Sequence, residues 1–384
     1  MSTPAYPTAR AAAEVIASTL GKHIAAAAGR GERNELDVTP LPEAEAIAAL
    51  VDAAFWASLH REEGRSPRIS LALVPPELAG EPMMLARPLP LFPESLAHLA
   101  PAVERPGIHL GVWTGRGGLA VWGATRHIPA RTLVVEVVEP GLLVAKHRRD
   151  EEGKFINMAV LRAGELQLVD ERSARLPECP ELLASLLGFE TPGSWMEPDN
   201  ALVQLALSMR RHGRGGALLL VPAGSDAWQE SIVRPVSYAM SPAYTALARL
   251  LRDAPGDGDD LASAVRQESL RQRVDEIAGL TAVDGAAVMT DGYALLAFGA
   301  KIVRREGCGA VEQVLVTTPI VGSTPVVVTP SQLGGTRHLS AAQFVSDQRG
   351  AMGLVASQDG RFTVFVWSAR EGMVQAHRLE ALLL

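Results

Sequence analysis

Apolar positions recur with a helical period in some stretches of this chain and with a strand-like period in others. Residues 43–60 place their apolar side chains on one helical face, and residues 8–29 form a second, alanine-rich helical stretch. Apolar runs at 109–113 and 119–122 flank a glycine-rich turn, which is the pattern of a β-hairpin. The proline-rich residues 76–106 are predicted to be irregular. Further strands are predicted at 69–74, 132–138, 142–146, 155–161 and 165–169. The first part of the chain is therefore predicted to be a mixed α/β region with a mostly antiparallel sheet.

The second half of the chain alternates helical patterns with apolar strands, which is typical of α/β units. Prolines mark a junction near 235–245, so we expect an N-terminal domain at 1–240 and a C-terminal domain at 241–384. Both are expected to be of the α/β (α+β) class, the second with a central mixed sheet. The acidic segment 253–260 is expected to be a solvated loop. Helices are predicted at 180–188, 199–212, 243–252, 261–279 and 340–348, and strands at 217–221, 285–289, 294–298, 313–317, 351–356 and 362–367.

Composition and charge argue against several classes of function. A chain of 384 residues, 47% of them hydrophobic, has enough apolar material for two cores. Its net charge of −7 argues against a general binder of nucleic-acid polymers or of anionic membranes. Every apolar run is shorter than the ~18–20 residues of a membrane span, and no signal-peptide pattern is present, so we expect a cytoplasmic protein. Cys179 and Cys308 have no second Cys or His at metal-ligand spacing, so neither a disulfide framework nor a zinc site is expected.

Two short motifs in the last third of the chain carry the most specific chemistry. One is Asp-Gly-Ala at 284–286, and the other is Gly-Thr-Arg-His at 335–338. An aspartate can hold a metal ion, and the glycine beside it allows a ligand to approach the backbone. Thr, Arg and His side chains, together with glycine N–H groups, can bind phosphate oxygens. The pair of motifs therefore suggests a site for a metal-bound nucleotide, and the alternative for each motif is a simple turn.

In this order and setting, the two motifs resemble the diadenylate cyclase family. That family carries an Asp-Gly-Ala motif and an Arg-His-Arg motif, and it joins two ATP molecules into cyclic di-AMP. The resemblance covers roughly residues 245–384. The longer N-terminal part resembles, in its general layout, the sensor region called DACNV that precedes some of these cyclase domains.

The resemblance implies roles for individual residues. Asp284 would bind Mg²⁺ or Mn²⁺ and help to deprotonate the 3′-hydroxyl of ATP, and Arg337 would neutralise the triphosphate. His338 would hydrogen-bond phosphate or assist as a metal ligand. These three residues are the expected catalytic residues. The residues expected to contact the nucleotide are Gly285, Ala286, Leu296, Gly335, Thr336 and Ser357.

The family mechanism also implies an assembly, because each active site holds one ATP and two sites must meet face to face. We therefore expect at least a transient homo-oligomer. The chain departs from the family pattern at Leu339, which replaces the second arginine of Arg-His-Arg, and at Gln358, which replaces a glutamate. Two interpretations remain open. The chain is a cyclase regulated by its N-terminal domain, or it is a catalytically impaired module that binds ATP or a cyclic dinucleotide as a sensor.

Overall fold

The computed structural model describes residues 6–29, 40–61, 66–104, 107–115, 117–148, 155–162, 164–169, 198–252, 260–358 and 361–379. Cys179, the helix predicted at 180–188 and most of the acidic loop 253–260 lie outside the described residues. Contacts between residues divide the chain into two compact units, Met1–Val169 and Asp170–Leu383. No helix in the described part of the chain is both long enough and apolar enough to cross a membrane.

In the described part of the first unit, an eight-stranded sheet packs with three α-helices. The strands lie in the order β2-β4-β3-β1-β5-β6-β7-β8, and all neighbours are antiparallel except the parallel pair β1 and β3. The predicted mixed α/β class is confirmed, and the sheet is antiparallel apart from that one pair. The helices are α1 (Ala9–Gly29), α2 (Ala44–Leu59) and α3 (Pro93–Val103), and the strands are β1 (Ile69–Leu73), β2 (Met83–Pro90), β3 (His109–Gly115), β4 (Gly118–Thr125), β5 (Leu133–Glu139), β6 (Leu142–Arg148), β7 (Phe155–Arg162) and β8 (Glu165–Leu168).

The core of the first unit forms where the helices cover one face of this sheet. The apolar stripe of α2, including Leu50 and Ala54, is fully buried against alternate strand residues such as Leu71, Val135 and Leu143. Alternation places every second strand residue on that face, and removal of its apolar surface from water stabilises the layer by about 25 cal/mol per Å². The period-2 and period-3.6 patterns in the sequence therefore correspond to real packing faces.

The prediction that residues 76–106 are irregular is corrected for residues 76–104, the part of this segment that the structure describes. Strand β2 and helix α3 both lie in this segment. Pro93 occupies the first turn of α3, where its missing N–H is not needed, and Pro101 falls in the last turn. Strand β2 lies at the edge of the sheet and pairs with a strand on one side only. Pro88 and Pro90, which lack a backbone N–H, therefore do not remove a hydrogen bond from an interior strand.

The described residues of the second unit form a nine-stranded mixed sheet with five α-helices. Its strand order is β10-β12-β11-β9-β15-β16-β17-β13-β14, with parallel pairs β9/β11 and β13/β17. The helices are α4 (Pro198–Arg211), α5 (Ala246–Arg252), α6 (Asp260–Leu280), α7 (Pro330–Leu333) and α8 (Thr336–Asp347). The strands are β9 (Gly216–Val221), β10 (Tyr238–Tyr244), β11 (Ala286–Thr290), β12 (Leu295–Ala300), β13 (Val314–Thr317), β14 (Val326–Val328), β15 (Met352–Ala356), β16 (Phe362–Ser368) and β17 (Met373–Leu379).

The junction expected near residue 240 lies inside this second unit. Strand β9 is buried in the middle of the sheet, between β11 and β15. It therefore belongs to the same core as the strands that follow residue 280, although about 60 residues separate it from them in the sequence. The contacts divide the chain after Val169 instead.

Candidate functional site

The strand register brings the Asp-Gly-Ala motif to one end of the second sheet. Strands β9 and β11 run parallel, and β15 runs antiparallel to β9 with Ala356 opposite Gly216. The residues just before β9 and β11 therefore lie beside the residues just after β15. We call this end of the sheet the site edge, and it comprises Gly215, Asp284, Gly285, Ser357 and Gln358.

Gly285 has a physical reason to be glycine. Its φ is +115°, a conformation that side-chain-bearing residues rarely adopt. A Cβ at this position would lie 2.5 Å from the carbonyl carbon of Gly299 on the neighbouring strand. The next residue, Ala286, pairs with Ala300 and is buried in the core. Ala286 thus has a packing role in addition to the nucleoside contact expected from the sequence.

Asp284 makes an ion pair that the sequence did not indicate. Its carboxylate Oδ2 accepts a hydrogen bond from the ammonium Nζ of Lys301, which follows the end of β12. The side chain of Asp284 is 92% exposed and that of Lys301 is 50% exposed. The hydrogen bond and charge of Lys301, and then the charge of Arg337, lower the pKa of Asp284. Asp284 is therefore an accessible carboxylate whose ionised form is favoured by Lys301 and, to a smaller extent, by Arg337.

Arg337 connects the second motif to the site edge. The motif was predicted to lie in a loop before a helix at 340–348, but α8 already begins at Thr336, with Gly335 as its N-cap. Arg337 therefore lies in the first helical turn. Its Nη1 lies 2.8 Å from the position that a Cβ on Gly215 would occupy. Because Gly215 is glycine, with φ of +70°, the guanidinium can lie directly against the site edge.

The neighbours of Arg337 in the first turn point to different environments. Thr336 and the preceding Gly335 are exposed. His338 is only 4% exposed, its ring meets Phe365 edge-on at 6.1 Å between centroids, and it lies against Gly334. Leu339 is 44% exposed. The expected role of His338 at phosphate or metal is therefore accompanied by a packing role on the core side of α8.

The other two residues predicted to contact the nucleotide, Leu296 and Ser357, make contacts within the second unit. Leu296 is half-buried and packs against the core of the second unit. The backbone N–H of Ser357 donates a 2.8 Å hydrogen bond to the carbonyl of Arg361, which closes the turn between β15 and β16. Gln358 donates a 3.3 Å hydrogen bond to the carbonyl of Arg214. Ser357 and Gln358 both lie at the site edge.

His212 and Arg214 add to this end of the sheet and carried no motif signal in the sequence. His212 Nδ1 accepts a 3.2 Å hydrogen bond from the backbone N–H of Arg214. Its Nε2 lies 3.3 Å from the hydroxyl of Thr281, whose own hydrogen goes to the carbonyl of Ala278. His212 is thus held as the neutral Nε2–H tautomer. Burial, followed by the charges of Arg214 and Arg337, lowers its pKa.

A stacked aromatic pair lies next to the turn that contains Asp284, which we call the Asp284 turn. The rings of Tyr238 and Phe298 are parallel within 6°, with centroids 4.7 Å apart. The Tyr238 ring also lies 2.7 Å from the position that a Cβ on Gly299 would occupy. Since Gly299 touches Gly285, the aromatic pair and the Asp284 turn lie on adjoining strands. Tyr238 is 50% exposed and therefore offers aromatic surface near the site edge.

The residues fit a divalent cation only in part. A carboxylate such as that of Asp284 suits Mg²⁺ or Mn²⁺. However, Lys301 already contacts this carboxylate. No cluster of three or more His, Cys, Asp or Glu side chains that could hold a metal occurs among the described residues. A cation bound at Asp284 would therefore need oxygen ligands from the nucleotide phosphates and from water.

Comparison with known protein families gives a match to part of the first unit. Residues 36–126 match the family described as probable sensor domain DACNV. The matched stretch includes α2, α3 and strands β1 to β4. A search of curated proteins found no match. The expected similarity of the N-terminal part to the DACNV sensor region is thus confirmed for residues 36–126, and this match does not extend to the second unit.

Proposed function

We propose that the second unit binds ATP, or a cyclic dinucleotide, at the site edge, and that the DACNV-like first unit regulates this binding. One observation carries the proposal. The guanidinium of Arg337 lies against Gly215, and its charge helps to lower the pKa of Asp284, so groups from two motifs about 50 residues apart lie at the same end of the sheet.

The charges around the site edge favour an anion. Among the residues that the structure describes there, Lys301, Arg214 and Arg337 contribute three positive charges and Asp284 contributes one negative charge. This local excess of positive charge occurs in a chain whose net charge is −7. Charge-assisted hydrogen bonds from such groups to phosphate oxygens are worth roughly 1.5–3 kcal/mol each. A nucleotide polyphosphate has the complementary charge, and the exposed ring of Tyr238 offers a surface on which its base could stack.

A divalent cation would supply further neutralisation of the phosphates when bound. Asp284 would hold it, which requires the carboxylate to leave Lys301. The ammonium of Lys301 would then be available to a phosphate oxygen. Asp284 is exposed and Lys301 is half-exposed, so solvent screens their ion pair and this exchange costs little.

Binding is better supported than turnover. Position 339, where the family has a second arginine, carries an exposed leucine, and His338 packs against the core. The second motif therefore supplies one guanidinium where the family motif supplies two. Synthesis of cyclic di-AMP remains a second candidate function, because Asp284 is present and Arg337 lies at the same end of the sheet.

Calorimetric titration of the full chain with ATP, with and without Mg²⁺, tests the binding proposal. Wild type should bind, and Arg337→Met should weaken binding by about 10- to 150-fold, the equivalent of roughly 1.5–3 kcal/mol. The matched control is Arg304→Met, which removes an equal charge from an exposed position three residues after Lys301. Absence of ATP binding by wild type, or equal losses in both variants, would contradict the proposal.

Mass analysis of the products formed from ATP with Mn²⁺ or Mg²⁺ tests the second candidate. Leu339 is exposed, so Leu339→Arg has room for the longer side chain and should raise cyclic di-AMP formation by up to about a hundredfold. Asp284→Asn should abolish it. Asp291→Asn is the matched control, since Asp291 caps the N–H of Ala223 at the opposite end of β11. If neither wild type nor Leu339→Arg forms product at high protein concentration, binding alone remains.

A further inference from the structure

A pocket of about 470 Å³ opens at the opposite end of the second sheet from the site edge. It lies where β9 ends and α8 ends. None of the site residues predicted from the sequence lines it. Its volume falls within the range of small-molecule sites, roughly 300–1,000 Å³. We call it the far-edge pocket, and its defining residues are Pro222, Trp228, Arg305, Cys308, Asp347 and Arg349.

The walls of the far-edge pocket are held together by hydrogen bonds between distant segments. Asp347 Oδ2 accepts a 2.8 Å hydrogen bond from the backbone N–H of Arg305, and its Oδ1 accepts another, also 2.8 Å, from Gln343. The amide of Gln348 donates to the carbonyl of Ala227 and to the hydroxyl of Ser231, both at 2.9 Å. These bonds join the end of α8 to two loops, so the pocket is formed before any ligand arrives.

The same bonds decide which polar groups remain for a ligand. On the walls, both carboxylate oxygens of Asp347 accept hydrogen bonds and the amide nitrogen of Gln348 donates two. Apart from the amide oxygen of Gln348, the polar groups that remain can donate: the guanidinium of Arg349, the hydroxyls of Ser225 and Ser346, and the thiol of Cys308. The buried Nε1–H of Trp228 also has no acceptor among the residues that the structure describes. A ligand that satisfies this lining must be rich in acceptors.

Arg349 supplies a positive charge to the lining of the far-edge pocket. Its guanidinium lies over the ring of Trp367, 4.1 Å from the centroid, and forms no ion pair with any carboxylate in the described part of the chain. Arg305, by contrast, is bound to Glu230 at 2.7 Å. Stacking fixes the plane of the Arg349 guanidinium, which favours paired hydrogen bonds to a carboxylate or phosphate. Val221, Pro222 and Ala351 provide apolar wall beside it.

We propose that the far-edge pocket binds a small organic anion, a phosphate ester or a carboxylate with an apolar body. The anionic group accepts hydrogen bonds from Arg349, and the apolar body lies against Pro222 and the neighbouring apolar wall. This site is separate from the site edge and does not depend on nucleotide binding there.

Calorimetric titration of the full chain with four probes tests the proposal. Phenyl phosphate and benzoate combine a ring with an anion, benzyl alcohol has the ring without charge, and inorganic phosphate has the charge without a ring. At least one of the two ring anions should bind with a dissociation constant below about 10 mM, and more tightly than benzyl alcohol or inorganic phosphate. The difference between phenyl phosphate and benzoate identifies the anionic group.

Variants locate the binding. Arg349→Met should weaken it at least about tenfold, the scale of a lost charged hydrogen bond. Ser225→Trp, at an exposed position of the lining, should block it by filling the pocket without disturbing the core. Arg304→Met and Arg337→Met should leave it unchanged. The proposal is overturned if neither ring anion binds, if benzyl alcohol or inorganic phosphate binds as tightly, or if Arg337→Met rather than Arg349→Met removes binding.

Discussion

The α-carbon of Gly285 lies directly against the backbone of Gly299, with no room for a side chain between β11 and β12. A Cβ on Gly285 would come within 2.5 Å of the carbonyl carbon of Gly299 and 2.7 Å of its oxygen. The contact sets the turn that presents Asp284 beside Lys301. The conformation of the candidate site thus depends on Gly285, although this residue has no side chain with which to bind a ligand.

Gly285→Ala should therefore destabilise the second unit. The φ of +115° alone costs an alanine about 1–3 kcal/mol, and the backbone clash adds to this. The control is Gly279→Ala in helix α6, where an added Cβ would meet nothing within 4 Å. That change should stabilise the protein by up to about 1 kcal/mol. Urea unfolding of both variants measures the two effects, and equal shifts would show that the Gly285 contact is unimportant.

The central position of β9 predicts how the chain can be divided. A fragment of residues 170–384 keeps β9 between β11 and β15 and should unfold cooperatively. A fragment of residues 241–384 lacks this strand and should be insoluble or lack a cooperative transition, because β11 and β15 lose their shared neighbour. Circular dichroism and urea titration distinguish the two. A stable, cooperative 241–384 fragment would restore the boundary near residue 240.

Buried histidine should make the first unit sensitive to acid. Burial, with the charges of Lys146 and Arg148, lowers the pKa of His109 from 6.5 to about 3, and its Nδ1 lies 2.7 Å from the hydroxyl of Ser70. The unfolded state then binds more protons than the folded state between these values. Stability is therefore full above pH 6.5 and falls as the pH decreases toward 3, by at most about 1.4 kcal/mol per pH unit for this group.

His109→Gln should reduce that pH dependence, since glutamine cannot take up the proton. Urea unfolding midpoints at about pH 7 and about pH 4.5 measure it. His98→Gln, at an exposed position on α3, is the control and should behave as wild type. An unchanged pH dependence in His109→Gln would show that other groups cause the acid sensitivity.

Lys301 should determine the ionisation of Asp284. Removing the ammonium in Lys301→Met should raise the pKa of Asp284 toward its usual value, because the hydrogen bond and charge of Lys301 are the main causes of its depression. The same variant should bind ATP less tightly without a divalent cation. NMR titration of the Asp284 carboxyl measures the pKa, with Arg304→Met as control. If the pKa is the same in Lys301→Met and wild type, the ion pair does not form in solution.

The packing faces could be predicted from the sequence because they depend on local periodicity. The stripe of α2, the hairpin of β3 and β4, and the apolar run of β9 all lie where the pattern indicates. The edge strands β2 and β10 escaped prediction. Strand β10 was expected to be a junction followed by a helix, since Pro235 and Pro242 suggested an interruption. At a sheet edge a proline costs little, so the usual signal is weakened.

The contacts of the site could be predicted only in part. Both motifs were identified from residue type, and the register of β9, β11 and β15 brings them to the same end of the sheet. Lys301 is 17 residues from Asp284, and their contact depends on how strands β11 and β12 pair. The burial of His338 depends on where α8 begins, four residues earlier than predicted, which rotates this side chain toward Phe365. Neither feature has a local sequence signal.

The central claim is that a nucleotide binds at the site edge, and hydrogen–deuterium exchange with and without ATP and Mg²⁺ tests its location most directly. We expect slower exchange in the turn at 281–285, at 213–216 and in the first turn of α8, which contains Arg337. We expect no such change at 346–350, beside the far-edge pocket. Protection confined to the far-edge pocket or to the first unit, or no protection at ATP concentrations well above those in cells, would contradict this claim.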